Sequence, residues 1–204
     1  METDLLQILV KASSTETQVV PPLEQTEHNV PAATREEGQG QEGGLIVPNK
    51  QEDVKNFLHK HGVKLVALLK TKVKKENIAS RVFAGWQWHT DAEIVPKVRV
   101  CVPWQEATFQ VHVVHVTDQL ICYITKLADY TKAFLITFVH GLNTVARRLP
   151  LWEDLMRMAQ NIQGPWCVIG DFNAVLHPGE RIGGEDIQYG EVVDFSNYLE
   201  QCDR

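Results

Sequence analysis

Four runs of β-branched and aromatic residues, separated by turn residues, constrain the fold of this chain most strongly, because they indicate β-strands joined by hairpins. They cover residues 95–102, 108–116, 119–125 and 133–139. Shorter apolar runs at 63–69 and 166–169 indicate two more strands. Amphipathic helix patterns occur at 51–61, 149–162 and 191–202. Strands that alternate loosely with helices favour an α/β layered fold over an all-α or an all-β fold.

The composition divides the chain after residue 47. Residues 11–47 are rich in Ser, Thr, Glu, Gln, Gly and Pro and show no periodic apolar pattern. Such a segment buries too little apolar surface to offset the entropy of ordering. We therefore predict a disordered low-complexity tail at 1–47, with at most a short helix at 3–11, and a folded domain at 48–204.

The charge of the chain excludes one class of binding protein. The 20 Lys and Arg against 26 Asp and Glu give a formal net charge of −6, so the whole chain is no basic nucleic-acid-binding tail. Lys and Arg are nevertheless in excess at 51–81. The lysines near the centre of this segment either contact phosphates or form a solvated face. They are Lys64, Lys70, Lys72, Lys74 and Lys75.

Several features of the sequence predict an intracellular protein. No run approaches the roughly 18 apolar residues of a transmembrane helix. The acidic N-terminus carries an apolar stretch too short for a secretory signal. The 4 cysteines include no C-x-x-C pair, which excludes a zinc ribbon and does not indicate a disulfide framework.

The sharpest chemical signal is the segment Gly170-Asp171-Phe172-Asn173, into which the apolar run at 166–169 leads directly. Ligands of layered α/β proteins usually bind at the carboxyl ends of strands. Asp171 and Asn173 differ by two positions and point the same way in an extended chain. A carboxylate can hold a metal ion or orient a water, and an amide can donate to a phosphate oxygen. A simple turn, where Asp and Asn are common, accounts equally well for these residues alone.

The surrounding segments resemble the endonuclease domain of plant LINE-type retrotransposons, which belongs to the endonuclease/exonuclease/phosphatase family. The matching segments occur in the family's order over residues 48–203. They are 57–72 ("LLETK" in the family), 139–152 ("VYGxN…RR.LW..L") and 164–184 ("GPW…GDFN…E..GG"). The resemblance implies a deoxyribonuclease-I-like fold, a four-layer β-sandwich flanked by helices. It also implies Mg²⁺-dependent hydrolysis of phosphodiesters in DNA, and therefore work in the nucleus or the cytoplasm.

The resemblance further implies roles for individual residues. Asp171 and Asn173 match the family residues that position the attacking water and contact the scissile phosphate. Asn143 matches a motif residue near the phosphate. Arg147, one of two arginines that open the following helix, is a second candidate phosphate contact. His140 stands where the family has a Tyr, and it keeps a hydrogen-bond donor of shorter reach.

The main departure from the family is Lys70, which occupies the position of the metal-binding Glu. A unit charge at about 4 Å contributes about 4 kcal/mol at an effective dielectric constant of about 20. The reversed sign therefore predicts that this copy binds no Mg²⁺ usefully, and it leaves Lys70 as a solvated loop residue. His112 and His115 suggest no metal pair either, because an odd spacing in a strand places them on opposite faces.

Two catalytic segments of the family have no counterpart in this sequence. The opening strand with its catalytic Asn is replaced by residues 43–48, and no Ser-Asp-His segment supplies an acid–base His. We expect an incomplete sandwich and a truncated, degenerate copy. The leading hypothesis is a retrotransposon-derived DNA endonuclease domain that is now an inactive pseudoenzyme. The alternative is a non-catalytic remnant that binds nucleic acid or protein.

Overall fold

The computed structural model describes residues 9–12, 17–20, 48–73, 83–177 and 189–202. Strands and helices alternate within these residues. The strands are β1 (Leu9–Ala12), β2 (Thr17–Val20), β3 (Leu65–Val66), β4 (Leu68–Val73), β5 (Gln87–Thr90), β6 (Val98–Trp104), β7 (Phe109–Val116), β8 (Leu120–Leu127), β9 (Ala133–His140) and β10 (Trp166–Asp171). The helices are α1 (Pro48–His61), α2 (Val145–Asn161) and α3 (Tyr189–Cys202).

The strands form two sheets. The first has the order β2-β1-β3-β6-β4, and β5 pairs with β6 beside this path. The second has the order β10-β9-β8-β7. Neighbouring strands in this second sheet are antiparallel except for β9 and β10. These two run parallel because α2 connects the end of one to the start of the other.

Three apolar clusters separate the layers. Val54 and Leu58 of α1 pack with Leu68 on the outer face of the first sheet. The inner faces of the two sheets meet in the central cluster, where Leu69 packs with residues of β7, β8 and β9. Leu151 of α2 belongs to the outer cluster of the second sheet, which also includes a residue of α3. The resulting order of helix, sheet, sheet and helices confirms the predicted α/β sandwich flanked by helices.

The predicted helices and strands from residue 51 onward occur with differences at their ends, and the single strand predicted at 63–69 forms two strands, β3 and β4. Helix α2 begins at Val145 rather than 149, because the carbonyl of Thr144 accepts from the backbone N–H groups of Arg147 and Arg148. Pro150 then lies inside the helix. Strand β5 was not predicted, since its Trp-rich segment lacks an apolar run, and its pairing with β6 creates the strand. No helix in the described part of the chain is long and apolar enough to cross a membrane.

Strands β1 and β2 lie in the segment for which the sequence predicted a disordered tail and at most a helix at 3–11. They pair with each other, and β1 also pairs with β3. The edge of β3 thus supplies hydrogen-bonding partners that the local composition does not reveal. Residues 1–8, 13–16 and 21–47 of the predicted tail lie outside the described residues, and the domain boundary after residue 47 stays a prediction.

The predicted orientation of His112 and His115 is wrong. The register of β7 shifts between Val113 and His115, so that His112 pairs with Ile124 and His115 pairs with Cys122. Because these two partners are two positions apart on β8, both histidines face the same side of the sheet. The Nε2 atom of His115 lies 3.9 Å from a carboxylate oxygen of Asp154 on α2.

Candidate active site

The parallel pairing of β9 and β10 places two polar side chains at one end of the second sheet. His140 ends β9 and pairs with Asp171, which ends β10. The Gly141 N–H donates to the Asp171 carbonyl at 2.8 Å and extends the pairing by one residue. The resemblance at 139–143 and the one at 166–173 therefore meet at a single edge.

A tight turn follows Asp171. The backbone N–H of Asn173 donates to Oδ1 of Asp171 at 3.0 Å, which closes a local side-chain turn. Asn173 has a φ of 48°, a conformation that Asn tolerates better than most residues. Its side-chain Nδ2 donates to the Gly141 carbonyl at 2.5 Å. Asn173 thus ties the turn to the loop after β9, and this contact uses one of the two N–H donors of its side-chain amide.

Two glycines allow these backbones to approach each other. A Cβ at Gly141 would overlap the carbonyl oxygen of Phe172. A Cβ at Gly170 would overlap the backbone of Val139, and Gly170 has a φ of 157°. Only a residue without a side chain fits at either position.

Lys70 reaches this edge from the first sheet. Its Nζ lies 2.7 Å from Oδ2 of Asp171, with 31% and 24% of the two side chains exposed. The interpretation of Lys70 as a loop residue is therefore wrong, because Lys70 lies in β4 and its ammonium is ion-paired across the two sheets. Together with the Asn173 N–H, this contact gives each oxygen of Asp171 a partner.

His140 is buried beside this pair, and its Nδ1 has no hydrogen-bond partner in the described structure. Burial lowers the pKa of the imidazole from 6.5 to about 4. The Asp171 carboxylate opposes this shift in pKa, whereas Lys70 and Arg99 add to it. The imidazole is accordingly neutral at pH 7.

The two arginines that open α2 have different environments. Arg147, the predicted phosphate contact, is exposed, as is Asn143 in the preceding loop. Arg148 is buried, and its Nε lies 3.0 Å from Oδ2 of Asp194 on α3. Its Nη1 donates to the carbonyl of Asn173 at 2.6 Å, so it supports the turn from behind.

Sequence reasoning missed this supporting pair and a buried glutamine. Arg148 shares a helical face with Leu151 and Leu155, and that spacing was a usable signal of burial. Gln119 accepts from the Leu142 N–H and donates to the Arg147 carbonyl, both at 2.9 Å. It fixes the loop that carries Asn143, and nothing in the local sequence indicated this.

Among the described residues, those at this edge do not fit Mg²⁺. A divalent cation needs several oxygen ligands, and it is repelled by a neighbouring ammonium group. In the part of the chain that the structure describes, Asp171 is the carboxylate at this edge, and Lys70 Nζ already lies against it. No group of three or more His, Cys, Asp or Glu side chains suited to a metal ion occurs among the described residues.

No protein-family model matches this chain, and no curated protein is similar to it in sequence. Among solved structures, it is similar to the catalytic domain of human Nocturnin, with 13% identity, 61% of this chain and 57% of that chain covered, and a TM-score of 0.44. It is similar to ANGEL2, a 2',3'-cyclic phosphatase, with 14% identity, coverages of 66% and 45% and a TM-score of 0.47. It is also similar to an endonuclease/exonuclease/phosphatase family protein from Bacteroides thetaiotaomicron, with 13% identity, 62% of this chain and 54% of that chain covered, and a TM-score of 0.47. The chain spans about half the length of these structures.

Proposed function

We propose that this chain belongs to the endonuclease/exonuclease/phosphatase family and derives from the DNA endonuclease domain of a plant LINE-type retrotransposon. We further propose that this copy does not hydrolyse phosphodiesters. The family assignment is supported by the motif segments at 139–143 and 164–173, which the fold brings to one edge. The proposed inactivity is carried by one observation, the ion pair between Lys70 and Asp171 at 2.7 Å.

The ion pair opposes catalysis in two ways. The ammonium group repels the Mg²⁺ that would polarise a scissile phosphate. It also occupies one acceptor site on Oδ2 of Asp171, while the Asn173 N–H occupies one on Oδ1, so the carboxylate keeps fewer acceptor sites with which to orient a water. The neighbouring His140 is neutral at pH 7, because its pKa is lowered to about 4. A neutral imidazole is too weak an acid to protonate a leaving group.

Nicking of supercoiled plasmid DNA tests the proposed inactivity. The purified chain should nick no faster with Mg²⁺ than with a chelator, and no faster than the Asp171→Ala variant. The loss of cooperating groups typically lowers rates by several orders of magnitude, so the expected result is background. Mg²⁺-dependent nicking that Asp171→Ala abolishes would show a working site and overturn the proposal.

A second candidate function is metal-independent binding of the DNA backbone. It is favoured by the exposure of Arg147 and Asn143 beside the candidate site and by the part of Lys70 that remains accessible. Cationic side chains bind phosphates with an affinity that falls as salt rises.

Fluorescence anisotropy of labelled DNA in the presence of a chelator measures this binding. Arg147→Ala should weaken binding and lower the slope against log salt by about 1. Lys60→Ala, at an exposed position on α1, is a control that keeps the same net charge as Arg147→Ala. Equal effects of the two substitutions, or no binding at all, would exclude this edge as a DNA site. A protein-binding remnant would then be the candidate to test.

A further inference from the structure

The backbone around Lys70 directs its side chain toward the second sheet. Leu68 and Leu69 alternate as expected, the first packing under α1 and the second between the sheets. A regular strand would return Lys70 to the side of Leu68. Lys70 instead has a φ of 55°, and the register of β4 is interrupted between Leu69 and Val73.

The residues on both sides of Lys70 hold this irregular conformation in place. Leu69 is buried in the central cluster. Thr71 is buried and its hydroxyl donates to the Val98 carbonyl at 2.7 Å. A non-glycine residue persists in a left-handed conformation only where the surrounding structure enforces it. The direction in which the Lys70 side chain leaves the backbone is thus a feature of the fold, and it brings Asp171 within reach of the ammonium.

We propose that the Lys70 ammonium acts as a built-in cation, which neutralises Asp171 and makes the fold of this edge independent of divalent metal. This inference rests on the proposed function, because it assumes that the edge descends from a metal site. It also concerns charge and binding rather than hydrolysis. It implies that a carboxylate in place of Lys70 opens a site for a divalent cation between positions 70 and 171.

Thermal unfolding with and without Mn²⁺ or Mg²⁺ tests this inference without any assay of activity. Neither cation should shift the unfolding temperature of the natural chain. Lys70→Glu should unfold at a lower temperature, because two carboxylates then face each other. Mn²⁺ at about tenfold excess over its dissociation constant should raise the unfolding temperature of this variant by about 3 °C or more. The double variant Lys70→Glu/Asp171→Asn should lose this response.

Lys60→Glu is the matched control, since it makes the same change of charge at an exposed position on α1. It should show no saturable response to Mn²⁺. A Lys70→Glu variant that folds but responds no more than Lys60→Glu would overturn the inference. So would a natural chain that Mn²⁺ stabilises through Asp171. Either result leaves the nicking experiment, and with it the proposed inactivity, to be judged separately.

Discussion

Two ion pairs flank the turn from Asp171 to Asn173, and they differ mainly in their access to water. Behind the turn, Arg148 and Asp194 lie 3.0 Å apart with 2% and 3% of their side chains exposed. In front of it, Lys70 and Asp171 lie 2.7 Å apart with 31% and 24% exposed. The pair with the shorter distance is thus the one that is more exposed to solvent.

The difference shows why distance alone does not rank ion pairs. Water screens the front pair, so its net contribution to stability is small. The rear pair is costly to bury, and hydrogen bonds to Arg148 and to Oδ2 of Asp194 offset part of that cost, whereas the buried Oδ1 of Asp194 has no hydrogen-bond partner in the described structure. Arg148 donates to two carbonyls, and Trp152 Nε1 donates to Asp194 Oδ2 at 3.0 Å. Substitutions that change the charge of the front pair should therefore cost little stability, whereas the same kind of substitution in the rear pair should cost much more.

The largest effect is expected from breaking the rear pair. Asp194→Ala leaves the Arg148 guanidinium buried and unpaired, and it should lower the free energy of unfolding by about 3–5 kcal/mol. Urea denaturation followed by circular dichroism measures this. The double variant Arg148→Met/Asp194→Leu should recover much of the loss. A cost below about 1 kcal/mol for Asp194→Ala would mean that water screens the rear pair as effectively as it screens the front pair.

The next effect concerns His140, which is buried beside the front pair. Its folded-state pKa of about 4 is below the unfolded value of 6.5, so the unfolded chain takes up the proton first as the pH falls. Stability that is complete above about pH 6.5 should fall by up to about 3 kcal/mol on approaching pH 4. Urea denaturation at a series of pH values checks this. His140→Gln should flatten the profile in that window, and an unchanged profile would assign the loss to other groups.

A smaller loss is expected at Gly141, where the loop and the turn touch. Gly141→Ala places a methyl group against the Phe172 carbonyl and should cost about 1–3 kcal/mol in unfolding free energy. Gly164→Ala is the control, because no heavy atom beyond the glycine and its two chain neighbours lies within 4 Å of the added carbon. Equal unfolding midpoints for the two variants would show that the backbone of the turn shifts to accommodate the added methyl group at little cost in stability.

The smallest effect is expected from neutralising the front pair. Lys70→Gln should change the free energy of unfolding by less than about 1 kcal/mol, because the pair is partly hydrated. Added salt should reduce the difference between Lys70→Gln and the natural chain. Chemical denaturation at low and high salt measures both quantities. A loss comparable to that of Asp194→Ala would remove the distinction between the two pairs.

Much of the candidate site was predictable because its motifs are local. The run at 166–169 and the turn at 170–173 were recognisable from composition, and the structure places Asp171 and His140 in register. The environment of Arg148 was not predicted, because its charge suggested a surface position despite the apolar spacing of its helix face. The contact of Lys70 with Asp171 was not predictable, since it depends on an irregular residue in β4.

The sequence by itself determined the order of the elements from α1 to α3 apart from β5, the layered fold class and the residues at the ends of β9 and β10, because periodicity and turn composition act over short stretches of chain. Only the tertiary structure decided which side chains meet there. It joined Lys70 to Asp171, buried Arg148 against Asp194, and turned His115 toward α2 through the register shift in β7. These contacts depend on backbone irregularities and on the packing of layers distant in the chain, which no local pattern records.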